Sequence, residues 1–306
     1  MTSDCVIAVD VGGTSVKAAV VDERGAAIAP VSVPTPRGAE RVADEIAALV
    51  DELADAAHAR ELTPVALGVV TPGLVDEDEG TVLLAGNLGW QDVPMRALVE
   101  KRSTLPVAFG HDVRAGGLAE AVLGAGRGAG DHLFVAIGTG VAGAVMLGGT
   151  AYGGGGYAGE LGHIVVEPDG HACACGGRGC LEAVASARAI ARRYAERAGE
   201  PVAAAEVAAR AVAGDGHAVA VWDAAVAGLV EALAAYLCVL APETIVVGGG
   251  LATAGEQLLG PLRARLSERL TIQRVPRVVP AELGERAGCL GAGLLAWRTA
   301  GREVRP

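Results

Sequence analysis

The sequence predicts an α/β protein built from two related domains that face a cleft. Strand and helix patterns alternate along the chain, and a strand, glycine turn and strand pattern occurs twice. The 306 residues, 51% of them apolar, also exceed what one core usually organises. We expect a small N-terminal domain of residues 1–112 plus about 290–306, and a larger domain of residues 113–289.

The first part of the chain predicts a strand meander followed by alternating helices and strands. The segment CVIAVDVGGTSVKAAVVDERG is β-branched and apolar, and turns at Gly12-Gly13 and at 22–25 divide it into antiparallel strands. Apolar residues recur at helical spacing over 38–60. The strand VALGVV, a helix started by Pro94 and the strand LPVAFGHD follow.

The second part repeats this order. Placing Gly13-Thr14 over Gly138-Thr139 superimposes an apolar strand, a glycine turn and a second apolar strand. Helical patterns then extend from about 182 to 240, and a strand ending in VVGGG precedes another helix. A last strand and helix occupy 275–300, and we expect that helix to return to the first domain.

Composition narrows the possible functions. The net charge of −11 opposes binding to a phosphate backbone, so we expect no nucleic-acid partner. We identify no apolar stretch long enough to span a bilayer, and MTSDCVIAVD has an acid where a secretory signal would carry positive charge. We therefore expect a cytoplasmic protein without a membrane partner, in which spaced Cys and His residues bind metal rather than form disulfides.

Glycine turns at strand ends predict a nucleotide site. DVGGTSVK continues as a strand, so its glycines lie at a hairpin tip where backbone N–H groups can contact an anion. The alternative is an ordinary Gly-Gly hairpin, but the further turns IGTGVAG and VVGGGLATAG favour a nucleotide. Asp10 is placed to hold a hydrated Mg²⁺, and Lys17 either lies near the phosphates or is simply solvated. The predicted cofactor-binding residues are Asp10, Gly12, Gly13, Thr14, Lys17, Gly138, Thr139, Gly140, Gly249 and Gly250.

Asp112 lies where a predicted buried strand ends and a helix begins. An Asp at this position commonly caps the helix. It can also accept a hydroxyl proton during phosphoryl transfer, and the helix dipole keeps it ionised. Both roles are compatible, and Asp112 is the candidate catalytic base.

A cysteine cluster follows in GHIVVEPDGHACACGGRGCLE, residues 162–182. Cys173, Cys175 and Cys180 with one histidine form an S₃N ligand set that suits tetrahedral Zn²⁺. Four protein ligands leave no open position, so the ion would be structural. His163 and His171 both qualify as the fourth ligand, and free thiols in a glycine loop are the alternative.

Together these segments resemble the ROK family of sugar kinases, within the actin-like, hexokinase-like ATPase group. The most specific is E-x-G-H followed by C-x-C-G-x-x-G-C-x-E, and the matches cover nearly the whole chain. The resemblance implies an actin-like (ribonuclease H-like) fold and ATP-dependent phosphorylation of a hexose hydroxyl, usually the 6-hydroxyl. The matching segments are DVGGTSVK at 10–17, TPGLVD at 71–76, NLGW at 87–90, Asp112, IGTGVAG at 137–143, and GELGH through CACGGRGCLE at 159–182.

The resemblance also implies roles for individual residues. It makes Asp112 the base and favours His163 as the fourth zinc ligand. His111 is a departure, because the family usually has Asn there; it either changes the preferred sugar or points away as a packed polar residue. The candidate substrate-binding residues are Gly73, Asn87, His111, Glu160, His163 and Glu182.

The sequence leaves several alternatives open. Glucose is the first expected substrate, followed by amino sugars, N-acetyl hexosamines and cyclitols. The alternative function is a sugar sensor without catalytic activity. Repressors of the family carry a DNA-binding segment before the kinase-like part, and with the first phosphate strand starting by Cys5 we expect none here. Polyphosphate is a possible donor, but we expect ATP because of GGGLATAG and the cysteine block. Similar proteins are homodimers or homotetramers, and we expect the same.

Overall fold

The computed structural model describes residues 3–304, which form two compact units. The first unit contains residues 3–127, 150–158 and 286–304, and the second contains 128–149 and 159–285. The first unit thus extends beyond the expected boundary at Asp112. The reason is that the helix beginning at Asp112 packs against the C-terminal helix, which belongs to the same unit.

The strands and helices are numbered in chain order. The strands are β1 Ser3–Val11, β2 Ser15–Val21, β3 Ala27–Pro34, β4 Leu62–Thr71, β5 Leu74–Asp76, β6 Thr81–Ala85, β7 Trp90–Val93, β8 Val107–His111, β9 His132–Ile137, β10 Val141–Leu147, β11 Thr150–Ala151, β12 Thr244–Gly248 and β13 Arg277–Pro280. The α-helices are α1 Ala39–His58, α2 Met95–Glu100, α3 Asp112–Leu123, α4 Leu181–Ala185, α5 Ala187–Ala198, α6 Ala204–Val212, α7 Gly216–Leu240, α8 Glu256–Arg269 and α9 Ala287–Thr299. Short 3-10 helices cover Gly154–Gly156, Leu161–His163, Gly250–Ala254 and Gly284–Arg286.

The first unit is organised around a five-stranded sheet with the order β3-β2-β1-β4-β8. The first three strands form the expected antiparallel meander, and β4 and β8 run parallel to β1. Because parallel strands end at the same edge of a sheet, the ends of β1, β4 and β8 bring Asp10, Thr71 and His111 to one edge. A second, three-stranded sheet has the order β5-β6-β7.

Helices cover both faces of the five-stranded sheet. The apolar side of α1 packs against Ile7, Val9 and their neighbours, while α9 packs on the opposite face, because successive strand residues point to opposite sides. Two glycines allow the close approach of α9. A Cβ on Gly68 would lie 1.9 Å from the carbonyl oxygen of Ala292, and a Cβ on Gly291 would lie 2.0 Å from that of Ala115.

The second unit repeats the hairpin and the parallel strands of the first. Its sheet contains β10-β9-β12-β13 in that order, which corresponds to β2-β1-β4-β8. The β9–β10 pair is antiparallel, and β12 runs parallel to both β9 and β13. The duplicated strand, turn and strand pattern in the sequence therefore corresponds to a duplicated hairpin in the structure.

Helix α7 forms the centre of the second unit's core, where Leu229 and Leu233 are buried. By length and composition alone it could cross a membrane, which corrects the expectation that no stretch is long enough. Half of its most apolar window is buried inside the unit. That burial is typical of the core helix of a globular domain.

Candidate active site

The first glycine turn joins β1 and β2 at the tip of their hairpin. The N–H of Gly12 donates to the carbonyl of Ser15 at 2.9 Å, and Thr35 closes the turn by donating from its hydroxyl to the carbonyl of Gly12 at 2.7 Å. Gly13 and Thr14 at the tip are exposed, so their backbone is open to a ligand. As predicted, the turn leads into a strand and not into a helix.

Asp10 ends β1 next to this turn, opposite Lys17 on β2. Burial, followed by the charge of Asp112, raises the pKa of Asp10 to about 7, although Lys17 acts to lower it. Gly288 of α9 provides the space for its carboxylate, since a Cβ there would lie 2.5 Å from Oδ2 of Asp10. The site therefore contains a carboxylate whose ionisation is unfavourable until a cation compensates it.

Asp112 is the first residue of α3, directly after β8. Its side chain is 25% exposed, and its Oδ1 accepts the N–H of Val113 at 2.6 Å. Asp112 is not the helix cap. That position is held by His111, whose Nδ1 accepts the N–H of Arg114 at 3.2 Å.

His111 is nearly completely buried, with 5% of its surface exposed. Burial lowers its pKa, opposed by the charge of Asp112. Its Nε2 lies 3.4 Å from Oδ1 of Asp112. His111 is thus packed, and its Nε2 is directed towards Asp112 and not away from it; its effect on the preferred sugar stays a prediction.

Glu77 and Arg114 hold the start of α3, and neither is among the residues predicted from the sequence. Oε1 of Glu77 accepts the N–H of His111 and Nε of Arg114, both at 3.0 Å. Arg114 is 3% exposed and also donates to the carbonyl of Val75 at 3.0 Å. An Arg two residues after Asp112, followed by the small and apolar residues AGGLA, was the available signal; Glu77 lies in the acidic run DEDE, which gives none.

Two further predicted residues of the first unit lie in turns near these strands. Asn87 is exposed beside the glycine turn, since a Cβ on Gly13 would lie 3.1 Å from Nδ2 of Asn87. Gly73 has a φ of 105° between β4 and β5, and a Cβ there would lie 2.2 Å from the carbonyl oxygen of Leu84. The backbone at Gly73 therefore requires glycine.

The second glycine turn joins β9 and β10 in the second unit. The N–H of Gly138 donates to the carbonyl of Gly140 at 2.9 Å, and Thr139 between them is exposed. Oε2 of Glu182 accepts the N–H of Val141 at 3.1 Å, so the helix after the cysteine cluster supports this turn.

The third glycine turn lies against the second. Gly249 has a φ of 81°, and a Cβ there would lie 2.5 Å from the carbonyl oxygen of Ile137. Gly250 begins the 3-10 helix that follows β12. The structure thus brings the two predicted nucleotide loops of the second unit together.

The cysteine cluster contains His163 and not His171. Ligand atoms of His163, Cys173, Cys175 and Cys180 all lie within 4.8 Å of one another. Nδ1 of His163 is 3.7 Å from Sγ of Cys173, whereas Nε2 of His171 is 3.7 Å from Glu196. Three thiols and one imidazole around a common centre are the donor set of a structural zinc site.

Glu160 lies beside this cluster. Its Oε2 is 3.7 Å from Nε2 of His163. One ring nitrogen of His163, Nδ1, is therefore directed at the cysteines, and the other, Nε2, at the carboxylate of Glu160. Burial raises the pKa of Cys180, whereas a backbone hydrogen bond from Gly177 lowers the pKa of Cys175. These residues fit a zinc ion that also orients Glu160 through His163.

The chain is similar to sugar kinases over almost its whole length. The family model described as the ROK family matches residues 6–299. A glucokinase of Thermotoga maritima is 37% identical over 306 residues, covering 94% of this chain and 95% of the relative. An N-acetylmannosamine kinase of Yersinia pseudotuberculosis is 34% identical, with 95% and 97% covered. A ROK family glucokinase from Streptomyces griseus, solved in complex with glucose and AMPPNP, superimposes with a TM-score of 0.84 at 33% identity, covering 96% of this chain and 99% of that one.

Proposed function

This chain belongs to the ROK family, and we propose that it transfers a phosphoryl group from ATP to a hexose hydroxyl, with the 6-hydroxyl of glucose or a related sugar as acceptor. It is an ATP-dependent sugar kinase with the two-domain, actin-like ATPase fold of ROK glucokinases. The observation that carries the residue assignment is the single sheet edge in the first unit. Asp10, the first glycine turn and Asp112 meet there.

The glycine turns are proposed to bind the nucleotide. Exposed backbone N–H groups at a hairpin tip suit phosphate oxygens, and the hydroxyls of Thr14 and Thr139 add donors. Asp10, with Lys17 opposite, would hold a hydrated Mg²⁺, which supplies positive charge to the phosphates. The residues assigned to this role are Asp10, Gly12, Gly13, Thr14, Lys17, Gly138, Thr139, Gly140, Gly249 and Gly250.

Asp112 is proposed to accept the proton of the acceptor hydroxyl. It is the first residue of α3, directly after β8, and its side chain is 25% exposed. Phosphoryl transfer depends on positioning more than on strong basicity, so a partly exposed carboxylate at a fixed place is sufficient.

The sugar is proposed to bind through carboxylates and the segments next to them. Glu160 and Glu182 can each accept hydrogen bonds from sugar hydroxyls, and His163 lies between Glu160 and the cysteines. Gly73 and Asn87 are the proposed sugar-binding residues of the first unit. Because a similar chain is an N-acetylmannosamine kinase, amino sugars and N-acetyl hexosamines remain the second candidate substrates, with cyclitols after them.

A zinc ion is proposed to hold the segment that presents Glu160. Its four ligands would be His163, Cys173, Cys175 and Cys180. The ion would be structural, since the four protein ligands complete its coordination.

The cellular location and the oligomeric state of the enzyme are also proposals. We propose that it acts in the cytoplasm, where ATP is present and where thiol ligands stay reduced. We also propose a homodimer or homotetramer, which sedimentation of the purified protein tests.

A coupled assay for ADP formation tests the proposed function. The purified protein with Mg²⁺ and ATP is supplied in turn with glucose, an amino hexose, an N-acetyl hexosamine and a cyclitol. We expect one of them to give sugar-dependent ADP, and ATP to be a better donor than polyphosphate in the matched reaction. Sugar binding without ADP formation from any acceptor would make the protein a sensor instead.

A further inference from the structure

His111 has a place in the site that the proposed reaction leaves unexplained. It follows β8, caps α3 and directly precedes Asp112. Three contacts hold it. Its N–H donates to Glu77, its Nδ1 accepts the N–H of Arg114, and its Nε2 lies 3.4 Å from Oδ1 of Asp112.

The contact with Arg114 determines which ring nitrogen carries the proton. A backbone N–H can only donate, so Nδ1 of His111 presents a lone pair to it. Burial lowers the pKa of His111, which favours the neutral ring at pH 7. A neutral imidazole with an unprotonated Nδ1 carries its proton on Nε2. The nitrogen that carries this proton lies 3.4 Å from Oδ1 of Asp112.

Two donors converge on one oxygen of this carboxylate. The N–H of Val113 donates to Oδ1 at 2.6 Å, and Nε2 of His111 approaches the same atom. Holding Oδ1 at two points sets the rotation of the carboxylate about its Cβ–Cγ bond. The rotation in turn sets the direction of Oδ2.

We propose that His111 is a positioning residue for Asp112: its Nε2–H donates to Oδ1 and holds the carboxylate so that Oδ2 accepts the proton of the sugar hydroxyl. This inference rests on the assignment of Asp112 as the base in the proposed function. The distance of 3.4 Å is long for a hydrogen bond, but catalytic hydrogen bonds tighten when substrates bind.

The residues around His111 fix the ring independently of any sugar. Arg114, whose N–H the ring caps, is itself held by Glu77 and by the carbonyl of Val75. The same Oε1 of Glu77 also accepts the N–H of His111. The orientation of the ring therefore belongs to the folded first unit, which distinguishes a positioning residue from a sugar ligand.

The test separates the two contacts of the ring. In His111→Ser the hydroxyl can still cap α3, because Ser is a good N-cap, but no group reaches Asp112. In His111→Ala both contacts are lost. For each variant, thermal unfolding, turnover, and the KM for ATP and for the best sugar of the ADP assay are measured on the full-length protein.

We expect His111→Ser to lower kcat about 10- to 100-fold, because a misplaced catalytic group costs this order of rate. The KM values should change less than about twofold and the ratio of kcat/KM between two sugars should stay the same, since no sugar contact is removed. His111→Ala should have a similar kcat and a lower Tm than His111→Ser. As a control for cap loss elsewhere, Asp215→Ala at the start of α7 should lower Tm and leave kcat unchanged.

Three results would overturn the inference. A kcat of His111→Ser equal to that of the wild type would make His111 a structural cap only. A raised sugar KM or a changed sugar preference, with kcat retained, would make it a sugar ligand. A wild-type protein that forms no ADP with any sugar would remove the proposed function and this inference with it, whereas the first two results leave the proposed function intact.

Discussion

Asp10 and Asp112 show how one sheet edge gives two carboxylates different properties. Asp10 is enclosed between β2 and α9, so burial dominates and its proton is held tightly. Asp112 is 25% exposed as the first residue of α3. The first carboxylate is suited to a cation and the second to contact with a substrate.

The raised pKa of Asp10 predicts a pH dependence of stability. Its pKa is 3.8 when unperturbed and about 7 in the folded protein, so the folded state binds the proton more tightly. The free energy of unfolding should therefore fall as pH rises from about 4 to about 7, as long as no Mg²⁺ or nucleotide is added. Asp10→Asn should remove this contribution.

Thermal unfolding of the wild type and Asp10→Asn at pH 5 and pH 8 measures the effect. The variant should gain Tm relative to the wild type at both pH values, and the gain at pH 5 should be less than half of that at pH 8. An equal difference at both pH values would mean that Asp10 does not titrate in this range.

At the scale of elements, the fold depends on how closely α9 approaches the sheet and α3. Gly291 lies inside α9 against the backbone of Ala115. Gly291→Ala should destabilise the protein by about 1–3 kcal/mol, because the added methyl group displaces packed backbone. Denaturant unfolding measures this loss.

A matched glycine in another helix provides the control. Gly216 is the first residue of α7, and among the described residues no atom outside its immediate chain neighbours and its own helix backbone lies within 4 Å of a Cβ there. Gly216→Ala should be neutral or stabilising by up to about 1 kcal/mol, because Ala has the higher helix propensity. If both variants had the same effect, close packing of α9 would not be the reason for the glycine.

The cysteine cluster joins two short segments, the 3-10 helix Leu161–His163 and the loop before α4. Cys175→Ala should lose zinc and weaken sugar binding together, since the ion orients Glu160 through His163. Metal analysis and calorimetric titration with sugar measure the two effects.

Cys238→Ala is the matched control, because Cys238 is exposed on α7 outside the cluster. It should retain both zinc and sugar affinity. Normal phosphorylation by a zinc-free preparation would contradict the role given to the cluster.

For the whole molecule, the spacing of apolar residues and glycine turns in the sequence predicted the main architecture. Strand periodicity, the repeated glycine turns and helical spacing predicted the main sheet of each unit and the helices around it, but not the three-stranded sheet β5-β6-β7. The prediction of a ROK sugar kinase is confirmed by the family match and by the similar kinases. These features are local in sequence or repeat at a fixed spacing, which is why pattern analysis finds them.

Contacts between distant segments could not be predicted in this way. Glu77 meets Arg114 only because β5 folds back on the start of α3, and nothing in the run DEDE marks the residue that does so. His111 caps α3 in place of Asp112 because the helix begins one residue earlier than a cap at Asp112 requires. The first unit continues to residue 127 because α3 packs on α9, far along the chain.

The central claim is that Asp112 accepts the proton when ATP phosphorylates a sugar, and the variant Asp112→Asn tests it most directly. Turnover and the Kd of the sugar are measured on the same preparations of wild type and variant. We predict that turnover falls by about 10²- to 10⁴-fold while the Kd changes less than about threefold, because the amide keeps the shape but cannot take the proton. Turnover close to that of the wild type would show that Asp112 is not the base.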